Sequence, residues 1–448
     1  MSHKQTDNPI IDGPVFITFL KYALPSILGL VAITTASLVD GMFVGHFVSA
    51  DGLAAINLLI PYLTLIFGLA LMLAIGGAVR GGHFLGQSKS FEASAVFSKC
   101  LVAVVFVGLL FLALSWLFDS TILSWLGTPD SLMGLILPYF RIISAVLVIQ
   151  IFTMVLYYFV RLDNGQRLAT TALVSGAMMN IVLDAIFIIG FDMGLVGAAW
   201  ATAIAQAIQL VILSKFFFRD HRQLFFCWPR QGWGELKQIS FNGLSEFTNE
   251  ISGGLVILVL NWLLVTTLDV EGVAAFAVIN YLIFVSLMLY YGFADALHLL
   301  VSHNHGAGQY KRITQFVSVG ITMVMLVGFG LTLTLLIWPQ SLISLFLNEA
   351  SLSTRLLSSE FIRLIWPLFL INGVNVTLSI YLTAMQKPIP SMFIALSRSF
   401  ILPVGLLLLF SWLLPQPDFI LALPIAEWLT FLLAAYLFWR FRPSKNQN

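Results

Sequence analysis

Charged side chains are scarce in this sequence. Only 10% of its 448 residues are Asp, Glu, Lys or Arg, whereas soluble domains carry about 25%. Hydrophobic residues make up 59% of the chain. They gather in runs of about twenty or more residues, the length that an α-helix needs to cross a bilayer, whereas a barrel strand needs only about ten. The composition excludes a soluble globular protein and predicts an all-α polytopic membrane protein.

Cysteines and the short motifs of enzymes are also lacking. Cys100 and Cys227 are the only two cysteines, and their wide separation argues against a disulfide framework. The patterns GxGxxG, Walker A, HExxH and GxSxG are absent. These absences argue against ATP-driven transport and against hydrolytic chemistry. We therefore expect neither an enzyme nor a cofactor, and the polar N-terminal segment indicates that the first spanning helix directs insertion itself.

Twelve apolar runs follow one another along the chain. The connections between them are short and carry turn residues, as at 127–130, 163–165 and 415–418. The runs predict spanning helices at 15–46, 52–79, 92–118, 132–160, 168–190, 195–218, 239–267, 272–300, 312–338, 355–384, 388–413 and 419–441.

Basic residues fall in alternate connections, the pattern that sets the orientation of membrane helices. The basic connections hold Arg80 and Lys89, Arg161 and Arg167, Lys215 to Lys237, Lys311 and Arg312, and Lys387. The intervening connections hold Asp51, Asp130, Asp192, Asp269 and Asp418. The alternation predicts a multi-pass protein of the plasma (inner) membrane with both termini in the cytoplasm.

The longest and most basic connection divides the predicted helices six and six. We predict an N-terminal lobe at 1–218, a cytoplasmic inter-lobe loop at 219–238 and a C-terminal lobe at 239–448. The halves repeat: LAAINLLIPYL from Leu53 matches VAAFAVINYLI from Val273, and AIAQ at 203–206 matches PIAE at 424–427. Six helices are an even number, so both lobes have the same orientation, related by an axis along the membrane normal, with a central cleft between them. This architecture suits alternating access.

Two carboxylates lie where a charge is expensive. Asp40 closes the apolar run at 16–39, and Asp184 lies within the run at 172–189. A charge at the bilayer centre costs about 2.5–3.5 kcal/mol on insertion scales. Asn180 shares a helix face with Asp184, and Thr202 adds a hydroxyl from the next helix. These four oxygen-bearing side chains suit a proton or a small cation, although a hydrogen-bonded helix-packing cluster is the alternative.

Several segments resemble the MATE family of multidrug and toxic compound extrusion transporters. They are ALPSILGL and SLVDGMFVGHF in the first helix, NIVLDAIFIIGFDMGLVGAAWATAIAQ at 180–206, GLSEFTNEISGG at 243–254 and LPIAEW at 423–428. The resemblance covers the whole chain and implies two six-helix lobes and antiport of organic compounds against protons or sodium. It places Asp40, Asn180, Asp184 and Thr202 around one cation-coupling site in the N-terminal lobe.

The sequence departs from the family pattern in two places. The loop after the second helix reads RGGHFLGQ, where the family has a small-residue run ending in Ser-Arg, and the eighth helix ends in ADALHLL, where the family has Gln-Pro. Family position also makes Asn57 and Tyr139 candidates for lining the substrate cleft.

Proline within the first helix is a candidate bending point. Pro25 removes one backbone hydrogen bond, so the helix that carries Asp40 is weakened there. Bending that follows the charge of Asp40 is one interpretation, and a static kink is the other.

Acidic residues of the C-terminal lobe are candidates for the substrate cleft. Glu246 and Glu250 share a helix face, and Glu427 stands where the first repeat has Gln206. A carboxylate with aromatic neighbours favours a cationic drug, whereas the alternative for Glu250 is a packing pair with Arg398.

Three histidines have structural interpretations. Asp295 and His298 lie one turn apart, which favours a structural ion pair over a proton relay. His303 and His305 fall in a predicted cytoplasmic loop and lack zinc-ligand spacing, so we expect them to be solvated.

Export of organic compounds by antiport is the function that the sequence favours. The alternative is a flippase for a lipid-linked saccharide, whose cleft would need Lys and Arg. As candidates for lining such a cleft we place Arg141, Arg363 and Arg398 within spans, against six acids. A channel suits the two-lobe repeat less well. We expect small-molecule drugs or toxins and the lipid bilayer as partners, no nucleic acid, and a monomer. Of the two coupling ions, H+ is favoured over Na+, because a dry helix interior favours the protonated acid.

The predicted topology can be tested with single cysteines at Lys89, Lys237 and Asp269 in a background without Cys100 and Cys227. An impermeant thiol reagent should reach the residue at Asp269 from outside intact cells, and the other two only in inverted vesicles. Labelling of Asp269 and Lys237 from the same side would contradict the twelve-helix prediction.

Overall fold

Twelve membrane-spanning helices make up most of this chain. The computed structural model describes residues 9–228, 232–346 and 352–443, so the predicted cytoplasmic termini lie partly outside the described residues. Within these ranges twelve helices are long and apolar enough to cross a bilayer, which confirms the predicted fold class. They are α1 Val15–Val48, α2 Asp51–Gly86, α3 Ser90–Leu117, α4 Asp130–Leu162, α5 Gln166–Gly190, α6 Gly194–Phe218, α7 Glu235–Asp269, α8 Glu271–Gly306, α9 Tyr310–Ile337, α10 Pro367–Ala384, α11 Pro388–Leu413 and α12 Asp418–Arg440.

Short helices lie between some of the spans. They are Pro9–Asp12, Asp119–Trp125, Pro339–Phe346 and Leu352–Ile365. The predicted helix at 355–384 is thus two helices, broken at Trp366. Pro367 is the first residue of α10, where a missing N–H is tolerated because the first N–H groups of a helix have no partner within it. α7 and α8 meet at Asp269, whose φ of 54° and ψ of −161° lie outside the helical region.

The prediction of solvated histidines after the eighth helix is wrong. α8 continues to Gly306, so His303 lies within it, only 2% exposed, with its Nδ1 3.0 Å from the Leu299 carbonyl oxygen. His305 is half-buried. The reason is packing: the neighbouring Asn304 donates from Nδ2 to the carbonyl oxygen of Ile10, so the N-terminal segment covers this end of the helix.

The helices group into two compact units. One unit runs from Leu28 to Gly243, and the other holds the residues before Leu28 and after Gly243. The beginning of α1 therefore groups with the later helices, and the segment at 219–243 groups with the earlier ones. The lobes at 1–218 and 239–448 stay a prediction; the boundaries of the compact units fall elsewhere, within α1 and α7, each of which passes from one unit to the other.

Specific contacts explain why the beginning of α1 groups with the later helices. Phe19 stacks on Phe293, with ring centroids 6.4 Å apart. A Cβ atom at Gly292 would stand 3.0 Å from the Ile27 Cα, so α1 and α8 approach closely there. Ser26 donates from Oγ to Asp295 Oδ2 at 3.4 Å.

The segment that connects α6 to α7 is held by side chains of the same unit. The buried Asp163 accepts hydrogen bonds at Oδ2 from the backbone N–H groups of Gln223 and Leu224, at 2.8 and 2.9 Å. Burial raises the pKa of Asp163, and these two N–H groups oppose that rise. Farther along, Lys99 Nζ lies 2.8 Å from Glu235 Oε2 at the beginning of α7. The described residues of the predicted inter-lobe loop, 219–228 and 232–238, are therefore anchored to one unit.

Glycine allows α2 and α7 to cross at close range. A Cβ at Gly76 would meet the carbonyl oxygen of Ile239, and a Cβ at Gly243 would meet the carbonyl oxygen of Met72. Both obstacles are backbone atoms, which a rotamer change cannot move. Small residues at such crossings let membrane helices pack backbone to backbone.

Substitution Gly243→Ala should destabilise the protein by about 1–3 kcal/mol, since the added methyl group forces α2 and α7 apart. The thermal midpoint of the purified protein in detergent measures the effect. Gly254→Ala is the matched control on α7, because a Cβ there meets nothing within 4 Å. Equal midpoints for the two variants would contradict the role of Gly243.

Candidate functional site

The predicted coupling residues come together in the unit that runs from Leu28 to Gly243. Asn180 and Asp184 lie one turn apart on α5, and Asn180 Nδ2 donates to Thr202 Oγ1 of α6 at 3.4 Å. Asp40 of α1 lies close enough to Asp184 for an electrostatic interaction. The structure thus places these four side chains on three neighbouring helices, whereas their role in coupling stays a prediction.

Tyr139 joins this group from α4. Its side chain is 6% exposed, and its phenol interacts electrostatically with both Asp40 and Asp184. Asn57 does not join the group: it is exposed on α2 and has no side-chain hydrogen bond within the described part of the chain. Of the two cleft candidates in this lobe, only Tyr139 therefore lies beside the carboxylates.

Irregular helix turns flank both carboxylates. A π-helical segment, Val44–Val48, begins one turn after Asp40, and a second, Ala185–Gly190, begins directly after Asp184. The two segments pack against each other and against α6. π-Bulges occur frequently at functional sites, because they realign the side chains of a helix and disturb its regular hydrogen bonds.

The carboxylate oxygens have strong unused capacity for binding. Asp184 is 0% exposed, and within the described ranges neither of its oxygens accepts a hydrogen bond; Oδ1 of Asp40 also lacks a donor. A buried charge without a partner is costly, and two neighbouring carboxylates cannot both remain ionised cheaply. The arrangement is suited to hold a proton on one carboxylate or a cation between the two.

The polar side chains of this site offer oxygen atoms as ligands. No group of three or more His, Cys, Asp or Glu side chains that could hold a metal ion occurs at 9–228, 232–346 or 352–443. The oxygen atoms of Asp40, Asp184, Asn180 and Thr202 are instead the ligand type that hard cations prefer.

A second polar cluster lies in the other unit and is built around Glu427. Asn372 Nδ2 donates to Glu427 Oε1, and Asn375 Nδ2 donates to Oε2, both at 2.6 Å. All three side chains are at least nine-tenths buried. The pattern NGVN at 372–375 in an otherwise apolar helix was a signal for this cluster that sequence reasoning missed.

Arg398 has neutral hydrogen-bond partners in the same unit. Its Nη2 donates to Asn249 Oδ1 at 3.2 Å and to the Tyr291 hydroxyl at 3.0 Å. The alternative that paired Arg398 with Glu250 is therefore wrong. Neighbouring residues on a helix point about 100° apart, and it is Asn249 that faces the guanidinium.

The remaining acidic candidates of this unit lie near a histidine and a serine. Glu246 Oε1 stands 3.9 Å from His298 Nε2, and Asp295 Oδ2 accepts from Ser26. Glu250 is half-buried. The ion pair between Asp295 and His298 stays a prediction.

Several known proteins are similar to this chain along most of its length. The pattern of the MatE family matches residues 25–186 and 255–408, which is more than half of the chain. A protein of Shewanella oneidensis named FAD transporter is 24% identical over 438 residues, 96% of this chain and 95% of that protein. The multidrug export protein MepA of Staphylococcus aureus is 23% identical over 369 residues, 81% of this chain and 80% of that protein.

A solved structure has the same fold. It is described as the outward-facing conformation of a multidrug resistance MATE family transporter, and it superposes with a TM-score of 0.90 at 18% identity, covering 99% of this chain and 100% of that one. The predicted resemblance is confirmed: the chain belongs to the MatE family, and it is a membrane transporter rather than an enzyme.

Proposed function

We propose that this protein is a secondary active antiporter that exports organic compounds from the cytoplasm across the plasma (inner) membrane in exchange for protons, working as a monomer. The observation that carries the proposal is the unpartnered carboxylate of Asp184, fully buried beside Asp40. Such a group is expensive unless it binds something during the working cycle.

Protonation of one carboxylate would remove the repulsion between Asp40 and Asp184. Entry of a proton from outside therefore stabilises the site, and its release to the cytoplasm restores the repulsion. Asn180, Thr202 and Tyr139 supply polar groups around the carboxylates. Sodium is the alternative ion, because the same oxygen atoms can coordinate it.

The first helix offers a link between this charge change and movement. α1 carries Asp40, contains Pro25, and passes from one compact unit to the other directly after Ile27. Proline weakens a helix by removing a hydrogen bond. We infer that bending near Pro25 accompanies the change of charge at Asp40.

The cargo is proposed to be an organic small molecule. The relatives are named as a multidrug exporter and an FAD transporter, so similarity alone leaves a wide substrate range. Glu246, Glu250, Glu427 and Tyr139 remain the candidates for contacting cargo. The acidic side chains would favour compounds that carry a cationic nitrogen.

Substitutions Asp40→Asn and Asp184→Asn should each reduce gradient-driven dye export to the background of empty vesicles, since each removes a titratable, cation-binding group while keeping its size. Export of rhodamine 6G from cells and uptake into inverted vesicles measure the effect.

Asp192→Asn is the matched control, because Asp192 is an exposed carboxylate in the connection between α5 and α6 of the same unit. Full export by both site variants, at wild-type protein levels, would show that the cluster only packs helices.

An imposed pH gradient should drive dye uptake into inverted vesicles in nominally sodium-free buffer, because a single buried carboxylate can carry the coupling proton. A sodium gradient without a pH gradient should be ineffective. Transport that stops without sodium at every pH gradient would identify a sodium antiporter instead.

The neutral Asp40→Asn variant should have α1 bent at Pro25, because it resembles the protonated state. A comparison of the structures of this variant and the wild type measures the bend.

A further inference from the structure

Arg398 is a half-buried cation within a membrane helix, and its hydrogen-bonding capacity is only partly used. A guanidinium has five N–H donors, but in the described part of the chain only Nη2 has partners, namely Asn249 and Tyr291. No carboxylate of residues 9–228, 232–346 or 352–443 lies within salt-bridge distance of it; Glu246 and Glu427 act on it as more distant charges. An arginine within a membrane helix is costly on every scale and marks a functional site by default.

The surroundings leave the unused side of the guanidinium accessible. Arg398 lines a small cavity together with Glu246, Asn249, Tyr291 and Ser379. The cavity is small in this structure, with room for about one water molecule. It marks the side on which Arg398 is open and does not enclose a whole cargo molecule. Nε and Nη1 of Arg398 have no hydrogen-bond partner among the described residues.

The local backbone also departs from a regular helix at this arginine. Arg398 lies in a π-helical segment, Ser397–Ile401, inside α11. The same segment supplies Ser399, whose Oγ donates to Asn249 Oδ1 at 2.7 Å and thereby orients the amide that holds Arg398. The guanidinium is fixed on one side and open on the other, as a binding group should be.

We propose that Arg398 recognises an oxyanion, a carboxylate or a phosphate, on the transported molecule. The planar fork of arginine matches the two oxygen atoms of such groups with paired, charge-assisted hydrogen bonds. Glu246 lines the same cavity, so cargo that carries a cationic nitrogen next to its oxyanion meets a charge of the right sign at both ends. This inference rests on the proposed export function. It specifies the cargo as organic compounds that bear an oxyanion, including those that also carry a cationic nitrogen.

Two pairs of matched dyes test the inference. Rhodamine 6G is an ester with one positive charge. Its free acid has the same ring system and carries a carboxylate in place of the ester. Riboflavin and riboflavin monophosphate differ by a phosphate. Two ratios are measured in cells and in inverted vesicles: export of the free acid over export of the ester, and export of riboflavin monophosphate over export of riboflavin. Each ratio cancels the amount of folded protein, so each variant is its own reference.

For Arg398→Gln we expect the free-acid-to-ester ratio, or the phosphate-to-riboflavin ratio, to fall about tenfold, the effect of losing one charge-assisted contact. Whichever ratio falls identifies the oxyanion as carboxylate or phosphate. Arg363→Gln is the matched control, because Arg363 is an exposed arginine of the same unit, and both ratios should stay at the wild-type value. Unchanged ratios in Arg398→Gln overturn the inference.

The wild type alone provides a second test in case Arg398→Gln does not fold. An excess of naphthoate should slow export of the free acid, and uncharged naphthalenemethanol should not; equal effects overturn the inference. A wild type that exports the ester but neither acidic dye also overturns it and leaves the proposed export function standing. A wild type that exports none of the dyes overturns both.

Discussion

Inside the hydrocarbon of a bilayer no water is available to a polar group, so each polar side chain in a spanning helix must find its partner within the protein or remain at a high cost. This requirement explains the arrangement of Glu427, whose two carboxylate oxygens are each met by an asparagine amide. Among the residues that the structure describes, it is left unmet at Asp184 and only partly met at Arg398. Ion and cargo binding are proposed at those two places because only a bound partner would complete them.

The two repeats share a backbone plan but differ in chemistry. Gln206 of the first repeat corresponds to Glu427 of the second, where the acid is enclosed by amides from α10. In the described ranges, no cationic side chain pairs with the acids of the first repeat, whereas the second repeat holds a guanidinium among neutral partners. The two sites therefore differ in charge preference: the carboxylates of the first suit a positively charged species, and the guanidinium of the second attracts a negatively charged group.

The sequence was enough to predict the number of helices, because a spanning helix has a length and an apolar composition that few other structures share. It also pointed to Asp40 and Asp184, since carboxylates are rare in apolar runs; the structure brings Asn180 and Thr202 near them, while their role in coupling stays a prediction. It did not find the partners of Arg398, because contact between Asn249 and a residue about 150 positions away depends on helix rotation, which a hydropathy pattern does not fix. The buried position of His303 was missed for a related reason: the segment that covers α8 comes from the opposite end of the chain.

The passage of α1 and α7 between the compact units has a consequence for how such a protein can arise. α1 begins with the later helices and ends with the earlier ones, and α7, its counterpart in the repeat, does the reverse. Each repeat thus lends the beginning of its first helix to the other, as in a reciprocal domain swap. The beginning of α1 packs against α8, and the beginning of α7 packs against α2. A single six-helix repeat would lack these contacts unless a second copy supplied them. A chain built from two such repeats therefore joins segments that complete each other's packing.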